Sequence, residues 1–307
     1  MINDLLLRLS IIYALIFVGV VLRRLTKRVE FLMNSISVFL VYFGVPVVIF
    51  ASIARFSEVF SDLRILVLSF SIFFFSSIAA FILFKFLNDR IIDARPFILS
   101  SINPNGFYLP FPIIYALFGG EGLIYSTIYL LVANVVNAFY IYPLYSYYSS
   151  SGKSNIVTFS KGILLFPPFL ASILGFVFLS SGITFPEQII LPISYLGQFT
   201  TYVALLFVGL NIDLRGESWF SRSTLAVAGV RLFIVPLILF GLMKYLGLIG
   251  TWSFVILIHS GMPPAVNNII LADHFRLDKK LMAKIVTEVT TLSLLTLPLL
   301  LYLGNSL

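Results

Sequence analysis

Ten apolar runs, most of them about twenty residues or longer, fill this chain, and only short turns separate them. They cover approximately residues 4–22, 31–54, 65–87, 96–118, 122–148, 156–179, 189–212, 223–246, 251–275 and 281–303. Crossing about 30 Å of hydrocarbon takes roughly 20 mostly apolar residues in a helix. Ten such helices use about 200 residues, which leaves no stretch for a separate soluble domain. The expected fold class is therefore an all-α polytopic membrane protein of about ten transmembrane helices. Composition supports this. Apolar residues are 60% and charged residues 11% of the 307, against about 45–50% and 25% in soluble domains. So little polar surface makes the lipid bilayer part of the solvent. The stretch Met1 to Leu22 has no small-residue cleavage site and is long enough to span, so it reads as a first helix and not as a removed signal peptide.

The formal charge of +7 does not point to nucleic acid. Basic residues sit in short loops, where they meet anionic headgroups. The odd-numbered loops hold fifteen: Arg23, Arg24, Lys27, Arg28, Lys85, Arg90, Arg95, Lys153, Lys161, Arg215, Arg222, Arg276, Lys279, Lys280 and Lys284. The other side holds four, Arg8, Arg55, Arg64 and Lys244. This bias puts the odd loops in the cytoplasm. The expectation is a multi-pass protein of the cell membrane with both termini outside. There is no cysteine, no HExxH, no mid-membrane carboxylate pair, no Ser-His-Asp grouping and no nucleotide loop. No enzyme, ATP-driven pump, cofactor or metal site is expected.

A shift of 160 residues superposes features of the two halves: Ser100 falls on Ser260, Pro104 on Pro264 and Glu121 on Leu281, while Arg64 falls near Arg222. Each half holds five segments, an odd number, so the second copy enters the membrane from the opposite side. The result is a 5+5 inverted repeat, an arrangement common among secondary transporters.

Segments four and nine are the most informative. The first reads Ser100-Ser101-Ile102-Asn103-Pro104-Asn105-Gly106-Phe107-Tyr108-Leu109-Pro110, the second His259-Ser260-Gly261-Met262-Pro263-Pro264-Ala265-Val266-Asn267-Asn268. Proline removes an N–H and clashes with the preceding turn. The freed backbone groups must be buried in protein or line a polar cavity. Two broken helices at matching positions point to a binding site. The second half-helices are expected to begin near Phe107 and Ala265, and a half-helix N-terminus carries partial positive charge and unpaired N–H donors. With amides of Asn103, Asn105, Asn267 and Asn268, such ends suit a carboxylate. The exposed carbonyls of the first halves could instead hold a cation. The plainer alternative is that the prolines kink helices and the asparagines join them.

With these motifs in view, the chain resembles the auxin efflux carrier family, which includes plant PIN-formed carriers and prokaryotic organic-anion carriers. The similarity covers the whole chain. Its strongest part is Met262-Pro263-Pro264-Ala265-Val266-Asn267, followed by Leu271-Ala272 and Thr291-Leu292-Ser293-Leu294-Leu295-Thr296-Leu297-Pro298. Asn103, Pro110 and Ala116-Leu117-Phe118-Gly119 match in the first crossover, whereas Asn105 and Tyr108 replace expected small residues. Auxin itself is therefore not implied. The long central loop of plant carriers is replaced by Ser149 to Asn155. The resemblance implies a homodimer with residues 1–64 and 149–222 as linker and scaffold. Residues 65–148 and 223–307 would form a transport domain that slides as an elevator.

Three ionisable groups lie within spans. Arg231 is about 13 Å and Glu288 about 10 Å in from the cytoplasmic side at 1.5 Å per residue. They could pair with each other and couple to protons. Alternatively Glu288 pairs with Lys284 one turn back and Arg231 snorkels. His259 could relay a proton, or pack as a hydrogen-bonded residue. Asn134 and Asn137 in segment five read as polar glue or as support for the substrate site.

The expected function is secondary transport of a small organic anion, a carboxylate. The expected contacts are Asn103, Pro104, Asn105, Gly106, Pro263, Pro264, Asn267 and Asn268. The alternatives are a sodium- or proton-coupled symporter or antiporter of related fold, and a membrane receptor. Sodium coupling usually calls for carboxylates at the crossover, where this chain has asparagines.

Overall fold

The structure, a computed structural model, describes residues 2–26, 28–55, 63–87, 93–149, 165–182, 186–212 and 220–307. Lys27, Arg90, Lys153, Lys161 and Arg215, used for orientation, lie outside them, as does most of the Ser149 to Asn155 linker. Among the described residues the chain is helical, and the one pairing of extended backbone is an isolated antiparallel bridge, Pro104 to Pro264.

Six described helices are long and apolar enough to cross a membrane: Val29–Ile53, Arg64–Leu87, Pro110–Tyr148, Leu191–Asn211, Arg222–Tyr245 and Lys279–Gly304. Pro167–Ser180 and Thr251–Ser260 are apolar but shorter, and the chain begins with the helix Ile2–Leu25. Pro110–Tyr148 is not one straight rod. At Gly119 the backbone has φ 61° and ψ −144°, a conformation that glycine adopts and L-residues avoid. A Cβ there would meet nothing nearby, so the backbone angle, not space, calls for glycine. The interruption falls at the turn expected between segments four and five.

Among the described residues three helices widen into π-turns, at Leu40–Gly44, Asn137–Ile141 and Gly229–Ile234. Each is followed two residues on by proline: Pro46, Pro143 and Pro236. A proline ring clashes with the carbonyl four residues back, and here that carbonyl belongs to Tyr42, Phe139 or Leu232, inside the wide turn. Widening the turn relieves the clash without ending the helix. Pro192 and Pro298 lie inside helices as well, and those helices do not widen there, so proline alone does not dictate a π-turn.

The chain divides into two compact units: Met1–Leu63 with Phe107–Leu131 and Ile163–Asp213, and Arg64–Gly106 with Val132–Gly162 and Leu214–Leu307. In the first, Ile2–Leu25 packs on Glu187–Asn211. A Cβ on Gly19 would collide with the Leu206 carbonyl, and one on Gly209 with that of Ile16. The two backbones therefore touch, a small-residue contact typical of membrane helices. Arg23 closes one end of this contact with a hydrogen bond to the Leu210 carbonyl at 2.7 Å. Leu40, Ile49, Ile53, Phe107, Phe111 and Leu123 fill the core of this unit.

The second unit is built from Arg64–Leu87, Ala94–Ile102, the end of the long fifth segment, Arg222–Tyr245, Thr251–Ser260, Asn267–His274 and Lys279–Gly304. Gly261 and Gly304 let it close tightly: a Cβ on the first would press on Leu300, and on the second on the Phe254 ring. Arg64 lies over the Trp252 ring at 5.6 Å.

Candidate functional site

The helix Ala94–Ile102 starts on Asp93, whose carboxylate accepts from the Arg95 N–H at 3.0 Å. It stops at Asn103, where the backbone turns extended (φ −100°, ψ 93°). Thr251–Ser260 stops at Gly261, and helix resumes at Asn267. After the first break, helix resumes at Pro110. Both restarts come two or three residues later than Phe107 and Ala265.

Asn103 to Asn105 of the first break lie against Pro263 to Ala265 of the second, within the second unit. The Asn105 N–H donates to the Pro263 carbonyl at 2.7 Å, and the Ala265 N–H to the Asn103 carbonyl at 3.0 Å. Pro104 and Pro264 face each other between these bonds. In an antiparallel pair, opposed residues alternate between bonded and non-bonded positions. The prolines hold a non-bonded position, so their missing N–H groups cost this pairing nothing. The asparagines lock it further. Asn103 Nδ2 donates to Asn268 Oδ1 at 2.6 Å, and Asn268 Nδ2 donates back to the Asn103 carbonyl at 3.2 Å.

Of the expected contact residues, Asn103, Pro104, Asn105, Pro263, Pro264 and Asn268 are buried, Gly106 is half-buried and Asn267 is exposed. Asn103 pairs with Asn268, whereas Asn267 shares a side-chain hydrogen bond with Tyr142. Each amide nitrogen carries two hydrogens, so Asn103 and Asn268 each keep one beyond their mutual bonds. Asn134 Nδ2 and Asn137 Oδ1 are buried and have no hydrogen-bond partner among the described residues. Ser101, before the first break, has a buried Oγ in the same condition.

Arg231 and Glu288 are engaged separately. Arg231 is fully buried in the π-turn Gly229–Ile234. Its Nε donates to the Met262 carbonyl at 3.0 Å and its Nη1 to Ser76 Oγ at 2.7 Å. Its Nη2 donates to the Ser260 carbonyl at 2.9 Å and, more distantly, to that of His259 at 3.5 Å. Glu288 accepts from the Thr224 hydroxyl at 2.6 Å and lies 3.9 Å from the Lys284 ammonium. The closer partner of Glu288 is thus Thr224, in the helix Arg222–Ala228, with Lys284 one turn back at ion-pair distance, while the Arg231 head is held by buried oxygens. His259 meets Arg231 through its backbone carbonyl. Ser76, Thr224 and Tyr142 belong to these networks; Tyr142 is one of the segment-five tyrosines, Tyr125 to Tyr148, that could line an aromatic site or serve in packing, whereas Ser76 and Thr224 were not among the sequence candidates. Serine and threonine are frequent in this chain, so nothing local marked those two out.

The first unit has a feature of its own, a cavity of 20 Å³ lined by Val45, Tyr108, Phe111, Tyr115, Thr200 and Ala204, among others. It is large enough for about one water. The Tyr108 hydroxyl lies 3.5 Å from Ser37 Oγ. The buried Thr200 Oγ1 has no partner among the described residues.

Paired breaks in apolar helices, closed by buried amides and a buried guanidinium, define a polytopic membrane protein with a polar centre, the class to which solute transporters belong. Residues 9–158 and 152–301 match the family described as membrane transport protein, and the chain belongs to that family. It is 25% identical over 272 residues to an uncharacterized transporter of Methanocaldococcus jannaschii, covering 84% of this chain and 85% of that one. It is 29% identical over 196 residues to an uncharacterized transporter of Methanothermobacter thermautotrophicus, covering 64% and 63%.

Proposed function

We propose that this membrane transporter is a secondary carrier of a small organic anion, and that the paired breaks hold the anionic group. One observation carries the reading: both interruptions are bonded back to back at Pro104 and Pro264, with asparagine amides beside them. An isolated kink would have no reason to find a partner 160 residues away. Amides without carboxylates favour an anion over a cation. In this reading Asn103, Asn105, Asn267 and Asn268 donate, with backbone N–H groups near Gly106 and Pro264 beside them. Asn134 and Asn137 support them.

The accompanying architecture is ten spans arranged as a 5+5 inverted repeat, with segments four and nine as crossovers and both termini outside. Segments one, two, six and seven form the scaffold and the surface of a homodimer. Segments three to five and eight to ten move as the transport domain. Family resemblance supports this division.

The test is a thermal-shift screen of the purified chain against small carboxylates, including indole acids and dicarboxylates, followed by counterflow of the labelled hit in proteoliposomes. A ligand that binds the folded state raises apparent stability. The expected result is stabilisation by one carboxylate class and counterflow of the same compound. Saturable binding without counterflow would indicate a receptor, and stabilisation by cations alone would reject the anion reading.

A further inference from the structure

A helix ending in mid-membrane leaves its last carbonyls without partners, at the negative end of its dipole. In transporters with broken helices, such carbonyls commonly coordinate a coupling cation. The apolar helix Thr251–Ser260 stops short at Gly261, with its end buried. The carbonyls of Leu257 and Ile258 accept from the Gly261 N–H. The His259 carbonyl accepts from the Met262 N–H and, at 3.5 Å, from Arg231. Those of Ser260 and Met262 accept from Arg231 at 2.9 and 3.0 Å. Ser76 Oγ, from the helix Arg64–Leu87, accepts as well, at 2.7 Å. Three carbonyls and a hydroxyl thus surround a fully buried guanidinium. Neutral oxygens of this kind are the ligands a hard metal cation takes.

The first break is built differently. There the Leu99 carbonyl accepts from the Asn103 N–H, and the Asn103 carbonyl accepts from the Ala265 N–H and the Asn268 amide. All these donors are neutral. Under the 160-residue shift Arg231 falls on Ser71, so the first half has no equivalent of it.

We propose that the Arg231 guanidinium is a tethered cation that fills the position at the second helix break where a coupling metal ion would otherwise bind. The chain then binds no sodium there, and its transport does not depend on sodium. Arginine is always charged and cannot leave, so this position carries fixed charge through the whole cycle instead of releasing an ion on one side. The coupling consequence rests on the transporter reading; occupancy of the oxygen cradle does not.

The test uses the full-length chain in detergent and no organic anion, so its outcome is independent of the substrate assignment. Melting temperature and saturable binding of radioactive sodium are measured for wild type, Arg231→Ala, Arg231→Met and Arg231→Lys. The media are sodium, potassium and choline chloride at matched ionic strength. Wild type should melt alike in all three and bind no sodium saturably. Arg231→Ala and Arg231→Met should melt about 10 °C lower, since they leave buried oxygens without their charge. Arg231→Lys should stay nearer wild type. Millimolar guanidinium chloride should raise the melting temperature of Arg231→Ala and leave wild type unchanged, and sodium replacing choline should stabilise Arg231→Ala alone. Three results would overturn the proposal. One is saturable sodium binding or sodium stabilisation in wild type. Another is a wild-type melting temperature for Arg231→Met. The third is a loss in Arg231→Ala that neither guanidinium nor sodium relieves. Should neither the alanine nor the methionine variant fold, the wild-type salt comparison decides.

Discussion

Asn103 and Asn267 are expected to respond differently to the same truncation, because one is locked into the break and the other is not. Asn103 is buried and donates to Asn268 at 2.6 Å. Asn103→Ala leaves Asn268 Oδ1 without that donor, at a cost of about 1–3 kcal/mol. At about 2–4 °C per kcal/mol, melting should fall by roughly 2–12 °C. Asn267 is exposed and shares one side-chain hydrogen bond with Tyr142, so Asn267→Ala should cost about 0.5–1.5 kcal/mol and lower melting less than Asn103→Ala. Both should weaken binding of the carboxylate found in the screen. A hydrogen bond to a charged partner contributes about 1.5–3 kcal/mol, so the loss is roughly tenfold to a hundredfold. Asparagine to aspartate at either position should weaken binding further, since it sets a carboxylate against an anion. Affinity is measured in detergent at fixed salt, with melting recorded on the same samples. Tighter binding by the aspartate variants would refute the anion assignment. Unchanged affinity in all four would place the site elsewhere. A drop in affinity that only tracks the drop in melting would reduce Asn103 to a structural role.

Other outcomes follow from the same networks. Thr224→Val should destabilise by about 1.5–3 kcal/mol, because it removes the 2.6 Å bond to a buried carboxylate. Melting of the purified variant checks this. A double-mutant cycle on Lys284 and Glu288 should give a coupling below about 1 kcal/mol, as their charges are 3.9 Å apart and Lys284 is partly exposed. The cycle on Arg231 and Glu288 should be additive within about 0.5 kcal/mol. Gly209→Ala should destabilise by about 1–3 kcal/mol or more, since the new methyl meets the Ile16 carbonyl. A cysteine introduced at Ser306 should react with an impermeant thiol reagent in intact cells, and reaction only after permeabilisation would reverse the proposed orientation.

Much of the helix pattern can be read from the sequence, because hydrocarbon thickness and charge at the turns act on every residue in the same way. The interruptions at Asn103 to Leu109 and Gly261 to Val266 are legible too, since proline and glycine change the backbone locally. The π-turns are only half legible: Pro46, Pro143 and Pro236 sit after one, whereas Pro192 and Pro298 do not. What a proline clash does to a helix depends on whether packing lets the turn widen, and that is a tertiary property.

Partner choice across the breaks is where sequence reading falls short. The 160-residue shift aligns Pro104 with Pro264, and the structure does pair those two. Nothing in the shift favours Asn268 over Asn267 as the partner of Asn103. The choice follows from the antiparallel pairing and from the helical turn that begins at Asn267. That turn sends one amide to Asn103 and leaves its neighbour exposed, next to Tyr142. Arg231 presents the same difficulty in a stronger form. A carboxylate partner would be visible in sequence as an acidic residue at matching depth, and Glu288 is such a residue. The partners found are chiefly main-chain carbonyls, which every residue has. Yet a helix broken in mid-membrane must find donors for its last carbonyls. The five donors of arginine fit that need, so the break itself was the signal for Arg231. Unmet backbone demand at an interruption is then a better guide to the partner of an intramembrane arginine than a search for opposite charge.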